Sequence, residues 1–179
     1  MFTHFGVSGP LVLDLSGQAA KLLDEHKKIK LFIDLKPGLS PEQLDRRILN
    51  DFKDEGTKSI KNIFKALLPQ RLIDVVIELA RVDHNKRGSQ ISQEERQRLV
   101  VTLKALPLTV IGTLPIEEAM VTGGGVSTTQ IDPRTMESKI VSGLYFAGEV
   151  IEGCAPSGGY NLQQAFSTGY LAGESAAHA

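Results

Sequence analysis

The sequence predicts a mixed α/β fold of the α+β kind, in which β-rich segments flank an inserted helical module. Apolar residues recur at helical spacing between residues 40 and 105, whereas apolar and polar residues alternate over residues 28–35. Ten of the 17 glycines lie beyond Met120, where β-branched residues also gather, so short strands and tight turns are expected there. A chain of 179 residues is long enough for one sizeable domain or two small ones.

The first helix is predicted to begin near Ser8, which would cap it, with Pro10 in its first turn. Its apolar stripe runs to Leu23 and is expected to be buried. A strand is predicted next, over residues 28–35, and a Pro-Gly pair at residues 37–38 ends it.

The helical module is predicted to begin at Ser40, because Ser40 and Gln43 fit the capping-box pattern with Pro41 at the first helical position. Further helices are predicted from apolar spacing over residues 58–66, 69–79 and 92–103, the last with Ser92 and Glu95 as a second capping box. Residues 40–106 are therefore predicted to form the helical module.

Beyond this module, the β-branched residues predict strands within residues 108–113 and 121–131. Residues 144–147 read as a short buried strand, and a final helix is expected to begin at about Tyr160. The C-terminal segment is thus predicted to be a strand, an acidic turn, a loop and a helix.

Composition argues against several classes of partner. Twenty Lys and Arg residues face 21 Asp and Glu residues, so no nucleic-acid partner is expected. Apolar runs stay well short of the ~18 residues of a spanning helix, so no membrane partner is expected either. The four histidines are dispersed without metal-ligand spacing, and no metal site is predicted. A single cysteine agrees with a reducing compartment, and we expect the cytoplasm.

The strongest chemical signal is a strand that ends in Gly148-Glu149, followed by a helix entered through Gly158 and Gly159. A helix entered through two glycines presents unpaired N–H groups and lets a ligand approach the backbone closely. A carboxylate such as Glu149 suits a sugar hydroxyl, from which it accepts a hydrogen bond. Hydroxyls and an anionic group together indicate a nucleotide-like cofactor, although the same pattern also occurs in purely structural turns.

At these residues the sequence resembles the HI0933-like (also YhiN- or BaiN-like) FAD-dependent oxidoreductases, formerly called NAD(FAD)-utilising dehydrogenases. The resemblance covers nearly the whole chain and is carried by residues 2–10, 34–37, 119–126, 135–139 and 143–173. It implies that residues 1–39 are the end of an inserted substrate-side domain and residues 107–179 a C-terminal flavin-closing segment. It also implies hydride transfer through a flavin, with reduced nicotinamide, NAD(P)H, as donor to a small-molecule substrate that the sequence does not identify.

The resemblance further implies which residues bind FAD. The glycine-rich stretch would pass beside the flavin ring, the acidic turn would lie near the ribityl and pyrophosphate groups, and the start of the last helix would stabilise negative charge on the reduced ring. The implied cofactor-binding residues are Gly124, Gly125, Val126, Gly148, Glu149, Gly158, Gly159, Tyr160, Asn161 and Leu162. Catalytic residues are not identified.

One departure from the family pattern changes the expected function. The family begins with a Rossmann half bearing Gly-x-Gly-x-x-Gly, and no such fingerprint occurs in these 179 residues. We therefore expect a C-terminal portion that pairs with the missing Rossmann half or self-associates. The alternatives are a non-catalytic helical interaction module, or an inactive fragment that does not bind FAD alone. Cys154 is a candidate redox thiol near the flavin, against the simpler reading of a lone reduced cysteine.

Overall fold

The computed structural model describes residues 1–179 and confirms the mixed α/β class. The chain divides into two compact units, of which unit 1 comprises Met1–Ile29 with Ile111–Ala179 and unit 2 comprises Lys30–Val110. The predicted domain boundaries, with the roles that the resemblance attached to them, stay predictions.

Unit 2 is built from four helices and a two-stranded sheet. The helices are α2 (Pro41–Asp54), α3 (Ile60–Ile63), α4 (Gln70–Leu79) and α5 (Gln93–Lys104), with short 3-10 turns at Phe64–Ala66 and Gly88–Gln90. The strands β1 (Ile29–Ile33) and β2 (Leu106–Val110) pair with each other.

Capping explains why α2 and α5 begin where they do. The Ser40 hydroxyl accepts a hydrogen bond from the N–H of Gln43 at 3.2 Å, and the Gln43 side chain accepts one from the N–H of Ser40 at 2.9 Å. Ser92 and Glu95 repeat the same reciprocal pair at the start of α5, at 3.2 and 2.9 Å. Both predicted capping boxes are therefore confirmed.

The core of unit 2 is a single apolar cluster of 17 buried residues drawn from all four helices and the start of β2. Leu44, Ile48, Ile60 and Leu99 have no exposed surface. Phe52 of α2 stacks on Phe64 with ring centroids 6.2 Å apart, which fixes the short α3 segment against the longer helix.

Unit 1 contains α1 (Pro10–Glu25) and α6 (Tyr160–Ala177), joined in sequence to a long segment of turns. Two expectations for α1 were wrong. Its N-cap is Gly9, with a φ of 109°, rather than Ser8, and no side chain caps it. Its apolar stripe is not buried: no residue of α1 is buried, and Leu11 is 81% exposed.

The strands predicted over residues 121–131 and 144–147 do not form. These segments make isolated bridges instead, Val126 with Ile151 and Glu137 with Tyr145, among 3-10 turns at Ile116–Glu118, Thr128–Gln130 and Gly148–Val150. Ile131 also bridges to Ser138. Strand propensity depends on neighbouring strands, and here each segment pairs only at isolated positions. A small cluster of Ile131, Met136, Ile151 and Ala172 forms the core of unit 1. No helix in the structure is both long and apolar enough to cross a membrane.

Candidate functional site

The candidate site lies in unit 1, where the glycine-rich stretch runs alongside the acidic turn. The N–H of Val126 donates to the carbonyl of Val150 at 2.8 Å, and the N–H of Glu152 donates to the carbonyl of Val126, also at 2.8 Å. This parallel bridge places Gly124 and Gly125 next to the turn that contains Glu149.

Gly125 is required for this close approach. A Cβ atom at Gly125 would lie 2.2 Å from the carbonyl oxygen of Val150, and its φ of +124° is one that L side chains rarely adopt. Gly124 also has a positive φ, +93°, but a Cβ there would meet no atom within 4 Å. Gly125 is therefore needed for both its backbone conformation and its close packing, whereas Gly124 is needed for its backbone conformation alone.

The Glu149 carboxylate makes a second link between the acidic turn and the glycine-rich stretch, through Thr122. Its Oε1 atom accepts hydrogen bonds from the backbone N–H of Thr122 and from the Thr122 hydroxyl, the latter at 3.0 Å. The Thr122 backbone N–H, followed by the Thr122 hydroxyl, lowers the pKa of Glu149 below its ordinary value, so the carboxylate is charged at neutral pH. Its second oxygen, Oε2, has no hydrogen-bond partner in the chain.

The acidic turn is anchored to α6 through Gly148. The backbone N–H of Gly148 donates to the Thr168 hydroxyl at 2.9 Å, and the glycine faces the Cβ of Ala165. Ala165 lies five residues into α6, which corresponds to ~7.5 Å along the helix axis from Tyr160. The acidic turn therefore meets the second and third turns of α6, and not its first residue.

The first turn of α6 presents free amides. Gly158 and Gly159 enter the helix with φ of +122° and +92°, and no side chain caps it. The N–H groups of Tyr160, Asn161 and Leu162 find no acceptor within the chain, since the first helical amide that is paired is that of Gln163. Tyr160 and Leu162 are 64% and 63% exposed and Asn161 is half-buried, so this first turn is not enclosed in a packed core.

Two side chains fix the loop that precedes α6. The Asn161 carboxamide accepts from the N–H of Ala155 at 2.8 Å and donates to the carbonyl of the same residue at 2.9 Å. The Asp14 carboxylate, on α1, accepts from the N–H of Ser157 at 2.7 Å. The loop is thus held at two points, while Cys154 between Gly153 and Ala155 stays exposed.

The structure brings the predicted site residues together in two groups. Gly124, Gly125 and Val126 meet Gly148 and Glu149, whereas Gly158, Gly159, Tyr160, Asn161 and Leu162 form the start of α6 one to two turns away. The cofactor-binding roles themselves stay predictions.

Sequence reasoning missed three supporting residues. They are Thr122, which bonds Glu149, Thr168, which bonds Gly148, and Asp14, which bonds the loop. Asp14 is separated from Ser157 by 143 residues, so local pattern could not have paired them. The spacing of Thr168 eight residues after Tyr160, on one face of a helix, was the only signal available for it.

The comparison of sequences identifies the family of this chain. Residues 1–121 match the family model described as HI0933-like protein barrel and H2TH domain, and the chain belongs to the HI0933-like family.

Three curated relatives are similar over nearly the whole chain. One is the 3-dehydro-bile acid delta(4,6)-reductase of Clostridium scindens, 34% identical over 98% of this chain and 43% of the relative. The ribosomal RNA dihydrouridine synthase of Haemophilus influenzae is 37% identical, and that of Escherichia coli is 34% identical, each over 95% of this chain and 40% of the relative. The chain therefore spans less than half the length of these relatives.

Proposed function

We propose that this chain forms part of an FAD-dependent reductase and that the start of α6 contributes to binding the flavin. The observation that carries the proposal is the set of three consecutive amides, from Tyr160 to Leu162, that have no acceptor in the chain and are not covered. Backbone N–H groups at a helix N-terminus attract negative charge. The chain belongs to the HI0933-like family, and the sequence resembles the FAD-dependent oxidoreductases of that family. This membership supports the same assignment.

The donor set fits the electron-rich edge of a flavin. The amides are fixed in the helix, so no reorganisation is needed when negative charge develops nearby. The side chain of Asn161 is already committed to Ala155, so only its backbone amide is available to a ligand. The clamped loop keeps Gly158 and Gly159 in the conformation that exposes these donors.

The acidic turn fits a hydroxyl-bearing part of the cofactor. Oε1 of Glu149 is occupied by Thr122, and Oε2 is free to accept a hydrogen bond from a hydroxyl group. Gly124 would let the cofactor approach the backbone beside the turn, because a Cβ atom there would meet no atom within 4 Å. Gly125, Val126 and Gly148 would instead hold the two segments in place, since Gly125 packs on Val150, Val126 forms the bridge and Gly148 bonds Thr168.

Bound FAD would supply two-electron chemistry, with reduced nicotinamide as the donor and an organic double bond as the acceptor. The relatives' names point to a common substrate class. A 3-dehydro compound with a delta(4) bond has a C=C bond conjugated to a carbonyl, and dihydrouridine is uridine with two hydrogens added across a C=C bond next to a carbonyl. We infer a substrate with a carbonyl-conjugated C=C bond, in a cytoplasmic setting.

Two kinds of molecule are candidates for carrying this C=C bond, and RNA is one of them. Two of the three relatives act on ribosomal RNA by their names, and one of these is the most identical of the three at 37%. A free steroid-like substrate is the other candidate, favoured by the bile acid reductase.

The exposed apolar surface of unit 1 supports a further protein contact. On α6, Leu162, Phe166 and Tyr170 follow one another at intervals of four residues and are 63%, 71% and 71% exposed. Since the relatives are more than twice as long as this chain, we propose that the remainder of a protein of that length covers this face.

A flavin titration tests the assignment. Flavin fluorescence and visible absorbance report binding directly, because protein side chains do not absorb visible light. The informative pair of variants is Leu162→Asp and Leu162→Asn, which differ only in charge beside the free amides. Aspartate in the first turn of a helix is stabilising, so weaker binding would not reflect unfolding.

We expect Leu162→Asp to bind FAD more weakly than Leu162→Asn. The difference should be largest for reduced FAD, whose ring carries a negative charge, and should reach about fivefold there, because unit charges ~4 Å apart in water interact by about 1 kcal/mol. The difference should shrink as salt is added. Equal affinities for the two variants would contradict a role for these amides. A wild-type chain that retains no flavin after gel filtration would instead support the alternative, in which the chain does not bind FAD alone.

A further inference from the structure

The charge of the chain is divided unevenly between its two units. Unit 2 carries 15 Lys and Arg residues against 11 Asp and Glu residues, whereas unit 1 carries five against ten. The net charges of +4 and −5 cancel almost completely in the whole chain, and total composition therefore conceals a basic helical unit. Such asymmetry is typical of chains that meet a polyanion with one part of their surface.

Ion pairs within unit 2 remove equal numbers of cations and carboxylates, so the surplus of four cations lies entirely among the unpaired side chains. Six of its carboxylates each contact a Lys or Arg side chain, for example Asp45 with Arg96 at 2.7 Å and Asp51 with Arg47 at 2.9 Å. The six pairs leave nine basic and five acidic side chains of unit 2 without such a partner. Lys65 and Arg71 are among the nine, and both are exposed.

These two cations lie at or beside a shallow cavity of about 230 Å³ on unit 2. Its lining residues are Lys61, Asn62, Lys65, Gln70, Ile73 and Asp74. Arg71 follows Gln70 in the first turn of α4. The cavity thus offers the unpaired ammonium group of Lys65 and two carboxamides, all of which donate hydrogen bonds, beside the ammonium group of Lys61, which is ion-paired.

The charge of the single carboxylate in the cavity is paired through one of its oxygens, Oδ1. Asp74 contacts the ammonium of Lys61 at 2.6 Å and Nδ1 of His84 at 3.1 Å. Lys65 has no such partner, so its charge is available to an incoming anion. Burial of Ile60, Ile63 and Phe64 holds the segment that carries Lys61, Asn62 and Lys65 in place.

We propose that this cavity binds the phosphodiester backbone of a structured RNA, with Lys65 as its principal cation. The proposal deepens the RNA candidate of the proposed function by naming the surface that would hold the polymer. Ammonium and carboxamide groups contact phosphate and sugar oxygens, and such contacts position a nucleic acid without reading its sequence. Binding is therefore expected to depend strongly on salt and weakly on sequence.

The test uses the full chain and a fluorescently labelled RNA hairpin, without FAD or reductant, and follows anisotropy between about 50 and 200 mM salt. The variant is Lys65→Glu, and the matched control is Lys21→Glu, on an exposed position of α1 in unit 1. Both variants change the net charge by the same amount, so any general electrostatic effect is common to both.

We expect the wild type and Lys21→Glu to bind the hairpin with similar affinity and similar salt dependence. Lys65→Glu should bind more weakly, and the slope of log affinity against log salt should fall by about one. Lys65→Ala removes the charge without reversing it, so its affinity should lie between those of the wild type and Lys65→Glu.

Absence of hairpin binding at the lowest salt, or equal loss in Lys65→Glu and Lys21→Glu, would overturn the proposal. Neither result bears on the flavin site, because the assay contains no flavin and the variant lies in the other unit. Conversely, a chain that binds the hairpin but not FAD would leave the cavity assignment intact.

Discussion

Replacing Gly125 with alanine tests how tightly the glycine-rich stretch packs on the acidic turn. The new Cβ atom would lie 2.2 Å from the carbonyl oxygen and 2.9 Å from the carbonyl carbon of Val150, and 3.1 Å from the backbone nitrogen of Glu152. All three are backbone atoms, which cannot turn aside as the end of a flexible side chain can. The stretch must therefore separate from the turn.

The expected cost combines two effects. An alanine held at a φ of +124° costs about 1–3 kcal/mol in backbone strain. Overpacking against fixed atoms adds about 1–3 kcal/mol. We therefore expect the free energy of unfolding of unit 1 to fall by about 2–6 kcal/mol, together with loss of the two 2.8 Å hydrogen bonds between Val126 and the turn.

The neighbouring glycines provide controls that separate these effects. Gly124→Ala imposes strain at a φ of +93° with no atom within 4 Å, and Gly123→Ala imposes neither strain nor contact. Hydrogen exchange at the amides of Val126 and Glu152 reports the bridge directly. Protection should fall most in Gly125→Ala, less in Gly124→Ala and not at all in Gly123→Ala. Equal protection in the Gly125 and Gly123 variants would refute the reasoning.

Two further predictions concern unit 2. Leu44 has no exposed surface, so Leu44→Ala should lower the free energy of unfolding by about 2–5 kcal/mol in urea titrations. Leu79 is 45% exposed, so Leu79→Ala should lower it clearly less. Similar losses in the two variants would contradict the assigned core. Burial raises the pKa of Glu95, but the hydrogen bonds from Lys86 and Ser92 outweigh it, so the net pKa is lowered. Its stabilising contribution should be complete above the ordinary carboxyl pKa and lost as pH falls through the lowered folded-state value. Glu95→Gln should accordingly be less stable than wild type at neutral pH, and the gap should narrow as pH falls below the ordinary carboxyl pKa. A gap that stays constant with pH would contradict this.

Local chemistry made the helices of unit 2 predictable. The reciprocal caps at Ser40 and Ser92 depend on residues three positions apart, and the apolar spacing of residues 69–79 matches the observed α4. The start of the last helix at Tyr160 was also predictable, because two glycines with positive φ precede it.

Unit 1 was less predictable because its structure depends on contacts between distant segments. Residues 121–131 have the composition of a strand but pair only at two isolated positions, Val126 with Ile151 and Ile131 with Ser138, so no continuous strand forms. The candidate site likewise rests on bonds such as Asp14 to Ser157 and Thr122 to Glu149, which join segments far apart in the sequence. Sequence pattern identified the glycines and the acidic turn, but not the side chains that hold them.

The scarcity of buried side chains in unit 1 makes its stability sensitive to any molecule that binds it. Its core contains four buried residues, against 17 in unit 2, while α1 buries none. Any molecule that binds the folded form of unit 1, and not its unfolded form, would raise its apparent stability by about 2.7 kcal/mol at a hundredfold excess over the dissociation constant. The melting temperature of unit 1 should therefore rise with the concentration of any molecule that binds its exposed apolar side chains, by more than that of unit 2.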